Sequence, residues 1–259
     1  MKFAFIGMGN MGRAMCTGLI KSGAVKPEEI KGYAPHYEKL KAYCETVGIC
    51  ACKSANEAVK DCDVIIMAVK PYQIENVISD LGGAIDSKAI VSVVAGWTCE
   101  KLQALVGGRA RVQYVMPNTP VSVLSGVMMF EKDNTLNECE RNEIIDRFSK
   151  MGLVTELDEH LMGAGMAIAG CGPAFCAMII EALGDAGVKY GLQRKDAYKL
   201  AAQTLAGTGM MQLTTGIHPG ELKDGVCSPA GTTIKGVEAL EKAGIRAAMF
   251  DAVNAVLSK

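Results

Sequence analysis

The sequence has few of the features that indicate nucleic-acid binding, secretion or a membrane location. Its 259 residues carry a net charge of −1, so it lacks the basic surplus of proteins that bind nucleic acid. We expect no apolar run long enough to cross a bilayer. Met1-Lys2 leads directly into an apolar run at residues 3–6, without the features of a secretory or transit signal. We therefore expect a cytoplasmic protein that binds neither nucleic acid nor membranes.

The sequence also lacks the spacing of a metal site or a disulfide framework. Its ten cysteines are scattered, with Cys50 and Cys52 as the tightest pair, and no CxxC pairs recur. The three histidines, His36, His160 and His218, are far apart in the chain. We expect buried, reduced thiols and no bound metal.

A glycine-rich turn lies near the start of the chain. Gly7-Met8-Gly9-Asn10-Met11-Gly12 follows the apolar run and precedes apolar residues at helical spacing from Ala14 to Ile20. In a strand-turn-helix context this GxGxxG pattern is typical of a Rossmann dinucleotide site, where the helix N-terminus binds the pyrophosphate. Gly7 would permit the tight turn, Gly9 the approach of phosphate and Gly12 close helix packing. The alternative is a glycine turn that binds nothing.

The end of the next strand indicates which dinucleotide binds. We predict a strand over Ile30–Tyr33, and NAD sites usually place an acidic residue near that point to hold the ribose hydroxyls. Here Ala34 and Pro35 follow instead, and His36 and Lys39 could neutralise a 2′-phosphate. The sequence predicts NADPH, with NADH possible. Alternatively the loop is solvated and both cofactors bind.

Three further apolar runs have the composition of parallel strands buried on both faces, residues 64–69, 89–94 and 112–116. Ligands in such sheets bind at the carboxyl ends of strands. We therefore expect Val69-Lys70-Pro71, Ala95-Gly96 and Met116-Pro117-Asn118 to border the nicotinamide end of the site. Lys70 contacts the cofactor in this interpretation, although its spacing alone equally suits a surface lysine.

The strand pattern ends at residues 153–156, and Asp158 could cap a following helix. The sequence predicts an α/β Rossmann domain at 1–157 and an all-α domain at 158–259. The last segment, from Ile245 to Leu257, has an apolar stripe at helical spacing. So many apolar faces in about 100 residues favour an intertwined homodimer. A compact helical domain packed on the Rossmann half is the alternative.

The segment 228–233 combines small and hydroxyl-bearing residues at a predicted helix start. The free N–H groups of such a start can bind one anion, and Pro229 would lack an N–H that the first turn does not use. The alternative is a simple Ser-Pro N-cap, which would not explain why Gly231, Thr232 and Thr233 occur together after it.

Three motifs behind the glycine turn carry a family resemblance: AVKP at 68–71, MPNTP at 116–120 and HPGELKDGVCSPAGTTIKGVEALE at 218–241. With them, the whole chain resembles pyrroline-5-carboxylate reductase. The resemblance implies reduction of 1-pyrroline-5-carboxylate to L-proline, the last step of proline biosynthesis, with NAD(P)H. It also implies dimers that interlock through the C-terminal helices, often assembled further into a homodecamer, and an active site to which the partner's helices contribute.

The resemblance assigns roles to particular residues. Ser228, Gly231, Thr232 and Thr233 would bind the substrate carboxylate, with Thr233 as the catalytic residue facing the ring nitrogen. Cys171 stands where the family usually has serine, which leaves the role of that side chain open. Motif, strand ends and resemblance together predict these cofactor-binding residues: Gly7, Gly9, Asn10, Met11, Gly12, Ala34, Pro35, Asn56, Ala68, Val69, Lys70, Pro71, Ala95, Gly96 and Asn118.

Other functions remain possible at this stage. A 3-hydroxyacid dehydrogenase would need a catalytic lysine in the glycine-rich stretch 163–177, which has none. A related cyclic-imine oxidoreductase would share the predicted site. A non-catalytic NADPH-sensing protein would not need the anion-binding segment at 228–233.

Overall fold

An eight-stranded sheet organises the first two-thirds of the chain. The computed structural model describes residues 1–258 and has two compact units, Met1–Gly170 and a second that begins at Cys171. The sequence placed the boundary at 157/158, before a helical stretch that packs on the sheet. Met162 of that stretch lies in the core, and the carbonyl of Ala169 accepts a hydrogen bond from Asn118. These contacts group it with the first unit.

The first unit alternates strands and helices. Its strands are β1 (Phe3–Ile6), β2 (Ile30–Tyr33), β3 (Cys50–Ala51), β4 (Val64–Met67), β5 (Ala89–Ser92), β6 (Arg111–Pro117), β7 (Gly126–Asn134) and β8 (Gly152–Leu157). Its α-helices are α1 (Asn10–Lys21), α2 (Tyr37–Val47), α3 (Ala55–Val59), α4 (Ile74–Leu81), α5 (Cys99–Val106), α6 (Glu138–Ser149) and α7 (Glu159–Gly165).

The strand order explains where a ligand can bind. The order is β3-β2-β1-β4-β5-β6-β7-β8, parallel as far as β6, with β7 antiparallel to β6 and β8 parallel to β7. The chain changes direction across the sheet between β1 and β4, which creates a crevice at the carboxyl ends of these strands. Every residue of β1, β4 and β5 is buried, which confirms the interpretation of these apolar runs.

The second unit is helical, as predicted. It contains α8 (Gly172–Lys189), α9 (Arg194–Thr215), α10 (Pro219–Gly225), α11 (Thr232–Lys242) and α12 (Ile245–Leu257). The ring of Tyr198 on α9 packs against Gly184 on α8, where a Cβ atom would lie 2.3 Å from the ring. A larger residue at Gly184 would therefore separate α8 from α9.

The helices of this unit leave most apolar side chains uncovered. Within residues 171–258 the buried positions are Gly184, Ala197 and Ala201. The stretch Glu159–Lys189 is also long and apolar enough, by length and composition alone, to cross a membrane. The sequence predicted no apolar run of that length, because the short apolar segments on either side of Gly170 were not joined into one helical stretch.

The ten cysteines are all free, but half of them are not fully buried. Cys50, Cys139 and Cys176 are exposed, and Cys171 and Cys227 are partly exposed, contrary to the expectation of buried thiols. Burial raises the pKa of each of the other five to between about 11 and 12: Cys16, Cys44, Cys52, Cys62 and Cys99. These buried thiols are held in the unreactive, protonated form at neutral pH.

One carboxylate lies in the core of the first unit. Glu131 on β7 is 1% exposed, and its Oε2 accepts a hydrogen bond of 3.0 Å from the backbone N–H of Cys99, the first residue of α5. Burial raises the pKa of Glu131, the Cys99 N–H opposes that rise, and Glu159, Asp133 and Glu100 add to it. The folded protein therefore holds the Glu131 proton more tightly than the unfolded chain does.

This raised pKa makes folding stability depend on pH. The stabilisation that protonated Glu131 gives is complete below the ordinary glutamate pKa and is lost as pH rises through the folded-state value. Glu131→Gln removes the titration and keeps an acceptor oxygen. We expect the free energy of unfolding of the variant, minus that of the wild type, to increase between about pH 4.5 and pH 8. Denaturant unfolding at several pH values measures it.

The matched control is Glu138→Gln, because Glu138 is an exposed carboxylate at the start of α6 that is not among the groups that raise the pKa of Glu131. The free energy of unfolding of this control, minus that of the wild type, should change far less over the same pH range. A Glu131→Gln difference that stays constant with pH would show that the buried carboxyl titrates normally.

Candidate active site

The glycine turn forms a close junction between β1, α1 and β4. Gly7 has φ +97°, and a Cβ atom there would lie 2.5 Å from the carbonyl oxygen of Ala68. A Cβ atom on Gly12 would lie 2.3 Å from the carbonyl oxygen of Gly7, whereas one on Gly9 would meet nothing within 4 Å. Gly7 and Gly12 therefore allow close backbone contact, and the space beside Gly9 is open.

The start of α1 adds hydrogen-bond donors to this open side. Gly9 occupies the N-cap position with no side-chain cap, and the first intrahelical bond runs from the Arg13 N–H to the Gly9 carbonyl at 2.9 Å. The N–H groups of Asn10, Met11 and Gly12 precede that bond and have no intrahelical acceptor. Such a helix start binds phosphate through its free N–H groups and its positive dipole end.

A cavity of about 830 Å³, the dinucleotide cradle, lies at the carboxyl ends of β1, β2, β4 and β5. The structure brings most of the predicted cofactor residues to its wall: Gly7, Gly9, Asn10, Met11, Ala34, Pro35, Ala68, Val69, Lys70, Pro71 and Ala95. The parallel strands end along one edge of the sheet, so residues from distant parts of the chain meet there.

Two predicted residues use their side chains elsewhere. Asn118 is 6% exposed; its amide nitrogen donates to the Ala169 carbonyl at 3.0 Å, and its amide oxygen accepts from the Val127 N–H at 2.8 Å. Asn56 donates to the carbonyl of Asp80 at 3.2 Å and does not line the cradle. In this structure both side-chain amides are hydrogen-bonded within the protein.

The cradle wall is basic. The side chains of Arg13, Lys39 and Lys70 give it positive charge, His36 also lines it, and its lining includes no aspartate or glutamate. The acid that commonly holds the ribose hydroxyls is therefore missing from the folded site as well as from the sequence. A cavity of this charge favours an anionic ligand.

Arg13 is a cradle residue that the sequence analysis missed. Its Nε donates to the Met8 carbonyl at 2.9 Å, and its guanidinium lies 4.9 Å from the centroid of the Tyr43 ring. The Tyr43 hydroxyl donates to the Arg13 carbonyl at 3.1 Å. Arg13 thus connects the glycine turn to α2. Its position directly after Gly12 was the signal that could have identified it.

The loop between β5 and α5 borders the cradle with Ala95. Gly96 has φ +78° and lines a separate groove with Trp97 and Lys101. The Lys101 ammonium donates to the Gly96 carbonyl at 3.0 Å, and the indole N–H of Trp97 donates to the Pro71 carbonyl at 3.2 Å. The turn that holds Ala95 is therefore tied to the loop after β4.

The predicted carboxylate-binding segment lies in the second unit. Ser228 begins a turn closed by the Gly231 N–H and the Ser228 carbonyl at 3.0 Å, in which Ala230 has φ +58°. Helix α11 begins only at Thr232, with Gly231 at the N-cap and no side-chain cap. Pro229 therefore precedes the helix, which corrects the expectation that it occupies the first helical turn.

This geometry leaves a helix start with free donors. A Cβ atom on Gly231 would lie 2.4 Å from the Ser228 hydroxyl oxygen and 3.0 Å from the Ser228 carbonyl oxygen, so a larger residue would displace the Ser228 side chain. Thr232 and Thr233 are exposed and form the first two positions of α11. Their N–H groups have no acceptor within the helix, so they can bind an anion.

Cys171 lies between a π-helical turn, Met166–Gly170, and the start of α8. It is partly exposed and caps no N–H group with its side chain. Pro173 falls in the first turn of α8, where its missing N–H is tolerated. Among residues 1–258 no group of three or more histidine, cysteine, aspartate or glutamate side chains is arranged to hold a metal ion.

Comparisons with known proteins cover both units. A family model described as "NADP oxidoreductase coenzyme F420-dependent" matches residues 2–96, and one described as "Pyrroline-5-carboxylate reductase dimerisation" matches residues 159–259. The chain is 42% identical to a pyrroline-5-carboxylate reductase of Treponema pallidum, over 100% of this chain and 99% of that protein. It is 38% identical to the Escherichia coli enzyme of that name, over 100% and 96%.

A solved structure shows the same fold. The crystal structure of Plasmodium falciparum pyrroline carboxylate reductase with NADP bound matches with a TM-score of 0.87 and 32% identity, over 98% of this chain and 95% of that one. Matches of this identity over the whole length, together with the dinucleotide cradle and the dimerisation match, show that the chain belongs to the pyrroline-5-carboxylate reductase family.

Proposed function

We propose that this protein reduces 1-pyrroline-5-carboxylate to L-proline by hydride transfer from NADPH, the last step of proline biosynthesis. The observation that carries the proposal is the dinucleotide cradle with its basic wall, in a chain that matches this family of oxidoreductases over its whole length. The absence of lysine from residues 163–177 counts against a 3-hydroxyacid dehydrogenase, because alcohol oxidation requires a base.

The hydrogen-bond donors and positive charges of the cradle suit NADPH. The N–H groups at the start of α1 would hold the pyrophosphate. Arg13, His36 and Lys39 lie beside the end of β2, where the adenosine ribose binds in this fold, and no carboxylate there would repel a 2′-phosphate. Bound NADPH supplies the hydride. NADH can also serve as the hydride donor, but it should bind more weakly because it lacks the 2′-phosphate.

Lys39→Glu tests this preference. A negative charge beside the 2′-phosphate should lower kcat/KM for NADPH by about tenfold or more, because losing roughly 1.4 kcal/mol of interaction lowers it tenfold. The value of kcat/KM for NADH should change much less, since NADH has no 2′-phosphate. Lys41→Glu is the matched control, since Lys41 is an exposed lysine of the same helix that does not line the cradle. Equal losses with both cofactors would contradict the assignment.

The substrate carboxylate would bind at the start of α11. The N–H groups of Thr232 and Thr233 and the hydroxyl of Ser228 provide donors for one anion, and Gly231 allows the turn that presents them. A protonated C=N bond is already an electrophile, so the protein has to orient the ring, hold the carboxylate and exclude water. The Thr233 hydroxyl would hydrogen-bond the ring nitrogen.

Thr233→Ala should leave the fold intact and lower kcat/KM for pyrroline-5-carboxylate by about tenfold or more, because a lost hydrogen bond to a charged group is worth about 1.5–3 kcal/mol. Thr233→Ser keeps the hydroxyl and should retain most activity. Thr46→Ala is a control, since Thr46 is an exposed helical threonine whose hydroxyl bonds only the Tyr43 carbonyl. Wild-type turnover by Thr233→Ala would refute this role.

We further propose that two copies associate through residues 159–259, which include the second unit. The dimerisation match covers residues 159–259, and many large apolar side chains there are exposed, among them Ile168, Met178, Leu200, Met210, Met211 and Leu213. The exposed apolar residues of α9 lie on more than one side of the helix, and a large exposed apolar surface marks an interaction site. The apolar stretch Glu159–Lys189 belongs to this surface, so a second copy is its proposed cover rather than a membrane.

The resemblance extends the proposal to a homodecamer of five dimers and to a substrate site that includes the partner's helices. The mass in solution distinguishes two chains from ten. A cytoplasmic location is proposed from the composition and the net charge of −1, which also give no support for binding to nucleic acid.

Met210→Glu should weaken this association. Met210 is 57% exposed in the single chain, so a carboxylate there costs little until a partner buries it. We expect light scattering at micromolar concentration to show a smaller mass than for the wild type, whereas Met210→Leu keeps the wild-type mass. A wild-type protein that scatters as a single chain would refute the dimer.

A further inference from the structure

Two hydrogen bonds connect the β5–α5 turn, residues 95–98, to residues on either side of it. Trp97 is bonded to the Pro71 carbonyl at 3.2 Å and Gly96 to Lys101 at 3.0 Å. Pro71 and Ala95 both line the dinucleotide cradle. The position of this turn is therefore part of the shape of the cradle at the end of β5.

Glu131 fixes the other end of the same turn. Its carboxylate accepts the N–H of Cys99 at 3.0 Å, so it serves as the cap at the start of α5. Thr98 occupies the N-cap position but makes no capping bond, and within residues 1–258 its buried hydroxyl oxygen has no partner. The core carboxylate thus replaces the local cap that the chain could have used.

Capping a helix with a buried carboxyl group is energetically unfavourable. Its removal from water is unfavourable, and only one hydrogen bond from a neutral donor compensates it. Hydride transfer to a C=N bond requires no such group at this place. The buried carboxyl group has one structural consequence, which is to fix the first N–H of α5 and the turn before it.

We propose that Glu131 is a positioning residue for hydride transfer, which holds the β5–α5 turn against the reacting end of the dinucleotide. The inference rests on the proposed function, because the reacting ring occupies the carboxyl ends of β4 and β5 in that assignment. Glu131 does not line the cradle, so it acts through Cys99 and the turn. Binding of the adenosine end depends on β1, α1 and β2 and should not depend on Glu131.

The test compares two variants of the full-length enzyme. Glu131→Met removes the acceptor at similar size, and Glu131→Gln keeps an acceptor oxygen. We expect Glu131→Met to lower kcat by about tenfold, because a displacement of about 1 Å at the reacting atoms can lower a rate by about 100-fold. Its dissociation constant for NADPH should stay within about twofold of the wild type, and Glu131→Gln should recover most of kcat.

The deuterium isotope effect on kcat, measured with NADPH deuterated at the transferred position, separates positioning from loss of folded enzyme. A smaller folded fraction lowers kcat without changing the isotope effect, whereas slower hydride transfer raises it. Met129→Leu, at an equally buried position of β7, is the control and should change neither. Where Glu131→Met does not fold, Trp97→Phe removes the bond to Pro71 and should raise the isotope effect in the same way.

A folded Glu131→Met enzyme with wild-type kcat and isotope effect would overturn the inference. Failure of the proposed function is recognised separately, since the wild type would then not reduce pyrroline-5-carboxylate. The turn would still be tested, because Trp97 is the single tryptophan of the chain. NADPH should quench its fluorescence to a different extent in Glu131→Met, and identical quenching would also overturn the inference.

Discussion

The backbone contact between Gly7 and Gly12 is the constraint on which the dinucleotide cradle depends. A Cβ atom on Gly12 would lie 2.3 Å from the Gly7 carbonyl oxygen, and one on Gly7 would lie 2.5 Å from that of Ala68. Any side chain at either place would push α1 away from the ends of β1 and β4. The N–H groups at the start of α1 would then no longer face the place where a phosphate binds. The basic residues around the cradle would then have no bound phosphate to contact.

Both anion-binding parts of the proposed site rely on backbone N–H groups at a helix start, and both use glycine to present them. Gly9 precedes α1, and Gly231 precedes α11, each at the N-cap and each without a side-chain cap. A fixed N–H donor does not titrate, so its binding strength is independent of pH over the physiological range. This arrangement suits a reaction in which NADPH supplies the hydride and the protein supplies orientation.

The sequence predicted those features that local sterics and periodicity determine. The glycine turn and the buried strands β1, β4 and β5 were identified because a close backbone contact or burial on both faces restricts which residues are allowed there. Strand β7 was missed because its second half, from Glu131 to Asn134, is polar. Its carboxylate at Glu131 is stabilised by a partner 32 residues away in the chain, which no local pattern reveals.

The hydrogen bonds of Asn118 and the position of Pro229 were both beyond what local sequence could predict. The amide of Asn118 is satisfied by Ala169, 51 residues further along, so its place after β6 did not determine its role. Pro229 was placed in a helix because Ser-Pro is a common helix start, but the turn from Ser228 to Gly231 postpones α11 to Thr232. Tertiary partners and turn geometry decided these positions, and neither can be read from spacing.

The second unit shows how association and catalysis are connected. Within residues 171–258 the buried positions are a glycine and two alanines, so the helices of one chain bury too little apolar surface to be stable alone. In the proposed dimer, the stability of this unit depends on the concentration of a second copy. Helix α11, with the proposed carboxylate-binding groups at its start, belongs to the same unit. Dilution that separates the copies should therefore remove substrate binding while leaving the dinucleotide cradle of the first unit folded.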